Sequence, residues 1–223
     1  LRAWQKLVLQ LLVTIIFVYY YTQHLHYEMQ MLIPFTGGIA SGRYIALPGW
    51  LFIPFLFFVM VGTVNGTNFT DGLDGLASSV TLLIAVFFTV VAIGTGSTVA
   101  PVCAAVAGAL MGFLVFNVYP ASVFMGDTGS LFLGGVVCAM AFALDMPLVL
   151  IFAGFVYIVE TLSVILQVGY FKATHGKRLF KMAPIHHHFE MSGWKEEKIV
   201  LTFASVSAIM CLVAWLSISS LTR

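Results

Sequence analysis

Three short polar segments interrupt an otherwise apolar sequence, and they hold the residues best suited to chemistry. The segments are 65–75 (NGTNFTDGLDG), 123–130 (VFMGDTGS) and 183–190 (APIHHHFE). Polar groups are costly to place among lipid-facing or buried apolar residues, so such segments most often mark functional sites. Their carboxylates and amides suit a nucleotide or a hydrated Mg²⁺, and their imidazoles suit phosphates or proton exchange.

The first segment carries four polar residues at three-residue intervals, which are Asn65, Asn68, Asp71 and Asp74. On a helix each three-residue step turns back by about 60°, so neighbours in the series touch. The glycines between them indicate that a ligand approaches the backbone closely. The alternative is a helix cap, in which Asn68, Thr70 or Asp71 bonds the free N–H groups at the start of the next helix.

The second segment centres on Asp127, with Gly126 and Gly129 beside it. A glycine-rich entry to a helix is typical of a phosphate or metal site, so Asp127 is the candidate metal ligand and catalytic carboxylate. Asp127 as a simple helix cap is the alternative. Asn117 lies just upstream, and Phe124 is either a stacking face for a base or an aromatic at the membrane interface.

The third segment contains His186, His187 and His188, which we predict to hold phosphates, with His186 as a candidate for proton transfer. Consecutive residues on a helix point about 100° apart, so three adjacent histidines cannot all bind one ion. A zinc site is therefore not favoured. Upstream, Glu160 and Gln167 share a helical face; Gln167 is expected to reach the site, and Glu160 is either functional or a buried hydrogen-bonding group.

Composition indicates the elements that must position these residues. The 223 residues are 61% hydrophobic and 9% charged, with mean hydropathy +1.03, whereas soluble domains carry about 25% charged residues. This composition predicts an all-α polytopic integral membrane protein, folded as a single domain over 1–223. The net charge of +1 indicates no nucleic-acid partner. Seven stretches are long enough to span a bilayer, at about 4–24, 50–66, 76–94, 98–116, 129–145, 147–171 and 199–221.

The distribution of Lys and Arg predicts the orientation of these spans. Eight of the ten basic residues either flank the start of the first span, as Arg2 and Lys6 do, or lie in the loop 172–198, which identifies that side as cytoplasmic. Counting spans places all three polar segments on the same side. Arg43 and Arg223 fall on the other side, where glycine- and proline-rich flanks predict a small β-hairpin near 27–47.

The segments NGTNFTDGLDGLA, FNVYPASVFMGDTGSLFLGG and APIHHHFEMSGW resemble the bacterial phospho-N-acetylmuramoyl-pentapeptide transferases. These belong to the polyprenyl-phosphate N-acetylhexosamine-1-phosphate transferases. The resemblance covers essentially the whole chain, and PIHHHFE is its most specific part. It implies transfer of phospho-MurNAc-pentapeptide from UDP-MurNAc-pentapeptide to undecaprenyl phosphate in the bacterial inner membrane. It also implies Mg²⁺, a homodimer and a cytoplasmic active site.

The resemblance assigns roles residue by residue. Asp127 matches the family's metal-binding catalytic aspartate, and Asp71 matches a residue linked to nucleoside recognition. The other substrate-binding candidates line the nucleotide site, with Phe124 stacking on the uracil. They are Asn68, Asp74, Asn117, Phe124, Gln167, His187 and His188.

One feature of the family is missing, because no Asp-Asp pair occurs in the sequence. In the family that pair lies just upstream of the segment resembling LRAWQKLVLQ. We therefore expect the chain to be an N-terminally truncated form, with seven of ten spans, that is inactive alone. Two alternatives stay open. One is a sister transferase that moves GlcNAc-1-phosphate, which PIHHHFE disfavours. The other is a transporter, whose polar groups should lie near the membrane midplane.

Overall fold

The structure is a computed structural model that describes residues 3–24 and 28–219, with the side chains of Ala3 and His24 left aside. Arg2 and Arg223, used above to predict orientation, lie outside the described residues. Seven helices within the described ranges are long and apolar enough to cross a membrane. The predicted class is therefore confirmed, and the chain is a multi-pass membrane protein.

The long helices in chain order are α1 (Ala3–Tyr19), which continues as a π-helical turn (Tyr20–His24), α3 (Gly49–Thr70), α4 (Leu76–Gly94), α5 (Ala100–Asn117), α6 (Gly126–Ala143), α8 (Phe155–Ala173) and α10 (Glu196–Ile218). Short elements connect them, namely α2 (Gly38–Ser41), a 3₁₀ turn (Pro147–Val149), α7 (Leu150–Ala153) and α9 (Ile185–Glu190).

The predicted hairpin is present as strands β1 (Gln30–Leu32) and β2 (Tyr44–Ala46). They pair antiparallel, with Met31 opposite Ile45. The hairpin caps the end of the bundle away from the three polar segments. Leu32 N donates to Asp145 O at 2.7 Å, which ties β1 to the turn after α6.

The core is built around α4, whose buried side chains pack against α5, α6 and α10. A second cluster joins the hairpin end of α1, α3 and α6 through the rings of Tyr21, Phe52 and Phe142. Glycines bring α3 and α6 into close contact: a Cβ built on Gly134 would lie 2.6 Å from Val64 Cα. Small residues let helix backbones approach closely where apolar burial alone cannot drive association in lipid.

The sixth predicted span is confirmed, but the stretch 147–171 is not one continuous helix. The structure breaks it at Gly154, so that the spanning helix is α8, from Phe155 to Ala173. Gly154 leaves the helical conformation at φ −91°, ψ 17°, and glycine is among the poorest helix formers. A Cβ there would also meet Leu150 O at 2.9 Å. Apolar residues continue without interruption through this point, so hydropathy alone does not reveal the break.

Candidate functional site

Asp127 lies where three helices converge. It occupies the first turn of α6, immediately after Gly126, whose φ of +65° turns the chain into the helix. Lys6 Nζ on α1 forms an ion pair with Asp127 Oδ2. Asn68 Nδ2, near the end of α3, donates to Asp127 Oδ1 at 2.9 Å and contacts Ser130 Oγ at the same distance. The carboxylate is held on both oxygens, yet its side chain remains 55% exposed.

The capping alternatives are not supported for these residues. The N-cap position of α4 is Gly75, at φ +77°, without a side-chain bond, so none of Asn68, Thr70 or Asp71 caps it. Asp127 lies inside α6, and the N-cap position before it also lacks a side-chain bond. A carboxylate there still benefits from the positive end of the helix dipole. Gly129 has a local role, because a Cβ there would lie 2.4 Å from Met125 Cγ.

Asp71 follows the last residue of α3 and lies beside the Asp127 cluster. The pKa of its carboxyl group is raised to about 6, chiefly by burial; a hydrogen bond from Ser130 opposes this shift, and the charge of Asp127 adds to it. Asp71 and Asp127 are therefore close enough to interact electrostatically. Carboxylates with perturbed pKa values in a partly open site are candidates for function.

Asp74 and Asn117 are occupied by contacts within the protein. Asp74 Oδ2 accepts from Ala121 N at 2.9 Å, and Asp74 N donates to Glu196 Oε1 at 2.7 Å. Asn117 is buried, accepting from Ser78 Oγ and donating to Val123 O at 2.9 Å. These bonds hold the segment 118–125 against α4 and the loop 71–75, and they hold that loop against α10. Phe124, on that segment, is 71% exposed and leaves a ring face free.

Glu160 and His186 form a fully buried pair beneath the loop after α3. His186 Nδ1 lies 3.1 Å from Glu160 Oε1, and both side chains are 0% exposed. Glu160 therefore contacts the third polar segment through His186. Gln167, further along α8, instead accepts hydrogen bonds from the backbone N–H groups of Leu179 and Phe180.

The other two histidines lie nearer the surface. His187 Nδ1 pairs with Glu190 Oε2 at 2.8 Å, and His188 Nδ1 accepts from Lys181 N at 3.1 Å. The three rings make three different sets of contacts, as expected for consecutive residues on the short helix α9. Across 3–24 and 28–219, no three His, Cys, Asp or Glu side chains group as a ready-made metal site.

The donors around Asp127 nevertheless fit a particular kind of metal. Mg²⁺ usually keeps several waters and takes only one or two carboxylates together with substrate phosphates. Asp127, half exposed and with Asp71 beside it, provides such oxygen donors. Lys6 shows that a positive charge is accommodated against the same carboxylate.

An apolar groove begins at this cluster and runs along the bundle. It lies between α1, α3 and α6, with a volume of about 450 Å³. Its lining includes Lys6, Leu9, Val13, Phe17, Val61 and Phe132. Lys6 and Phe17 are eleven residues apart, so the groove follows α1 for about 16 Å. From the sequence, Lys6 is predicted only to mark the orientation of the first span. Its position in the first turn of α1 also places a positive charge at the end of the bundle that carries the polar site.

The fold and this cluster define a class: a multi-pass membrane protein with a carboxylate-centred polar site at one end of its helix bundle. The family model described as glycosyl transferase family 4 matches residues 1–145. The chain belongs to this family.

Several relatives carry one name. The chain is 50% identical over 219 residues to a phospho-N-acetylmuramoyl-pentapeptide-transferase of Clostridium novyi, covering 98% of the chain and 65% of the relative. It is 49% identical to the protein of that name from Acetivibrio thermocellus, covering 96% and 63% respectively. The chain thus spans slightly less than two thirds of the length of these relatives.

Proposed function

We propose that the protein transfers phospho-MurNAc-pentapeptide from UDP-MurNAc-pentapeptide to undecaprenyl phosphate and releases UMP. The observation that carries this proposal is the convergence of Lys6, Asn68 and Asp127 at the mouth of an apolar groove. A phosphate on a long isoprenoid chain needs both a cationic polar site and an adjacent apolar path. The names of the relatives support phospho-MurNAc-pentapeptide as the group that is transferred.

In the proposed reaction an oxygen of the lipid phosphate attacks the sugar-linked phosphorus of the UDP-sugar. The new phosphorus–oxygen bond forms while the bond to UMP breaks, and UMP leaves with the electron pair. Phosphoryl transfer depends mainly on positioning and charge neutralisation. Lys6 is placed to neutralise phosphate charge at the groove mouth, and Asn68 holds Asp127 in one orientation.

Asp127, with Asp71 nearby, would hold the Mg²⁺ that we propose as cofactor. Bound there, the ion would neutralise charge on the diphosphate and stabilise the departing UMP. Phe124 offers an exposed ring for the uracil, and His187 and His188 are candidates for phosphate contacts. Asn117, Asp74 and Gln167 would act by shaping the loops of the nucleotide site, because their side chains are bonded to protein groups.

We further propose that the site faces the cytoplasm of a bacterial inner membrane and that the protein works as a homodimer. Charge bias supports the orientation, since Lys6 and the basic loop 172–198 share an end of the bundle with the polar segments. The clustering of polar groups at that end, rather than at mid-span, argues against a transporter.

The test uses the purified full-length protein in detergent with undecaprenyl phosphate and either UDP-MurNAc-pentapeptide or UDP-GlcNAc. We expect lipid-linked product and UMP only with the first donor, and loss of turnover when EDTA removes divalent ions. Turnover only with UDP-GlcNAc would instead identify the sister transferase. No transfer from either donor would contradict the proposed function.

A further inference from the structure

We propose that Glu160 is a positioning residue for the nucleotide site, acting through His186 on the backbone of the loop 71–75. This inference rests on the proposed function for its substrate, but its structural part stands on contacts alone. Glu160 and His186 come from α8 and α9, and the loop they support joins α3 to α4.

The pair is buried and otherwise unpartnered. Both side chains are 0% exposed, with His186 Nδ1 3.1 Å from Glu160 Oε1. Within the described part of the chain, their side-chain oxygens and nitrogens have no conventional hydrogen-bond partner, so this approach is the polar contact each has. A buried carboxylate is costly unless a partner compensates it, so the two side chains hold each other in place.

The imidazole ring in turn packs on the loop. A Cβ built at Gly72 would lie 2.2 Å from His186 Nε2 and 2.8 Å from Cε1. Only glycine leaves room for the ring at this position. His186 therefore carries the Glu160 contact directly to the residue after Asp71.

The far side of the same loop is fixed independently. Asp74 N donates to Glu196 Oε1 at 2.7 Å on α10, and Asp74 Oδ2 accepts from Ala121 N at 2.9 Å. The loop is thus clamped at Asp74 from one side and supported at Gly72 from the other. Asp71 directly precedes Gly72 in this loop, so both contacts bear on its position.

Glu160 lies near the polar end of the bundle despite its place early in α8. Gly66, one turn before the end of α3, packs against Tyr157 and Thr161 of α8. Tyr157 and Thr161 lie within one turn of Glu160 on α8, so Glu160 is level with the last turn of α3. This position explains how a residue within a spanning helix reaches the site loop.

The first test is Glu160→Gln in the full-length protein, with Glu197→Gln, an exposed residue of α10, as the matched control. Hydrogen exchange of the peptide covering 70–76 should increase in Glu160→Gln and stay unchanged in the control. The KM for the UDP-sugar should rise about tenfold, because a small displacement of the loop weakens the positioning of the substrate. The KM for the lipid phosphate should not change, and Glu160→Asp should restore part of the donor affinity.

Unchanged exchange over 70–76 in Glu160→Gln would overturn the proposal. So would a loss of folded protein with both KM values unchanged, because that result describes a purely structural role. If the wild-type protein lacks transferase activity, the proposed function fails, while the exchange measurement still decides the role of Glu160.

A second pair of variants covers the case in which Glu160→Gln does not fold. Gly72→Ala should lower the melting temperature by displacing the ring, and His186→Ala in the same chain should recover part of that loss. Such non-additivity is the signature of residues in direct contact. Additive losses from the two substitutions would contradict the contact between ring and loop.

Discussion

Asn68 Nδ2 donates to Asp127 Oδ1 at 2.9 Å, which joins the last turn of α3 to the first turn of α6 across 59 positions of sequence. The same amide contacts Ser130 Oγ at 2.9 Å, one turn further along α6. One side chain thereby fixes the orientation of the candidate metal ligand relative to the loop that carries Asp71. The close packing of α3 on α6 makes this contact possible.

Asn68→Ala should lower kcat/KM by about 10- to 100-fold, the range seen when a residue that orients a metal ligand is removed. Asp127 would keep its charge but lose its fixed orientation. Steady-state kinetics in detergent measure this effect. In an Asp127→Asn background the Asn68→Ala substitution should lower kcat/KM only slightly further. A further 10- to 100-fold loss of kcat/KM there would show that Asn68 acts independently of Asp127.

Lys6→Met should reduce turnover, because it removes the positive charge at the mouth of the apolar groove. We expect a loss of about 100-fold in kcat/KM, comparable to removing a group that stabilises developing charge. Lys6→Arg retains the charge and should keep most of the activity. Equal losses in the two variants would contradict a role based on charge.

Asp71→Asn should stabilise the protein above pH 6. Because the folded-state pKa of about 6 exceeds the usual value of 3.8, an ionised Asp71 opposes folding. Its neutral replacement should therefore raise the melting temperature at pH 7.5 by about 2–4 °C. This shift corresponds to a gain of about 1 kcal/mol in the free energy of unfolding, a value reduced because the group is partly exposed to solvent.

The pH dependence of this difference supplies the check. The gain should shrink as the pH falls from 6 towards 4, because the folded wild-type chain then binds the proton, and it should vanish below 3.8, where the unfolded chain binds it too. Thermal unfolding followed across this range measures it. A gain that is equal at pH 7.5 and pH 4 would exclude the raised pKa as its cause.

Gly134→Ala should destabilise the helix bundle, whereas Gly135→Ala should not. A Cβ at Gly134 meets Val64 Cα at 2.6 Å and Thr63 O at 2.8 Å, but at Gly135 the nearest atom is 4.0 Å away. Overpacking of this kind costs about 1–3 kcal/mol. Melting temperatures of the two variants in one detergent make the comparison, and equal values would show that α3 and α6 pack less closely than described.

The sequence predicts the seven spans and the hairpin because length and hydropathy are local properties. It also identifies the polar segments, since charged residues are rare here. The partners of these residues are set by tertiary contacts that no spacing encodes. Lys6 reaches Asp127 across 121 positions, and Glu160 meets His186 only because α9 folds back onto α8.

Several of the polar residues predicted to bind substrate also bond to protein groups, and their binding roles stay predictions. Asn117, Asp74 and Gln167 carry the right chemical groups, but the structure uses those groups to fix loops. His186, predicted as a catalytic candidate, is buried against Gly72. Its catalytic role stays a prediction, and the geometry supports a positioning role. A polar residue in an apolar chain indicates a site, but burial decides whether it lines or supports that site.

The proposed transfer depends above all on the Asp127 carboxylate. The most direct measurement is the initial rate of transfer from radiolabelled UDP-MurNAc-pentapeptide to undecaprenyl phosphate by full-length wild-type, Asp127→Asn and Glu197→Gln proteins. We expect wild-type rates for Glu197→Gln and a loss of about 100-fold or more for Asp127→Asn, with the folded fraction unchanged. Turnover by Asp127→Asn within a few-fold of the wild type would contradict it.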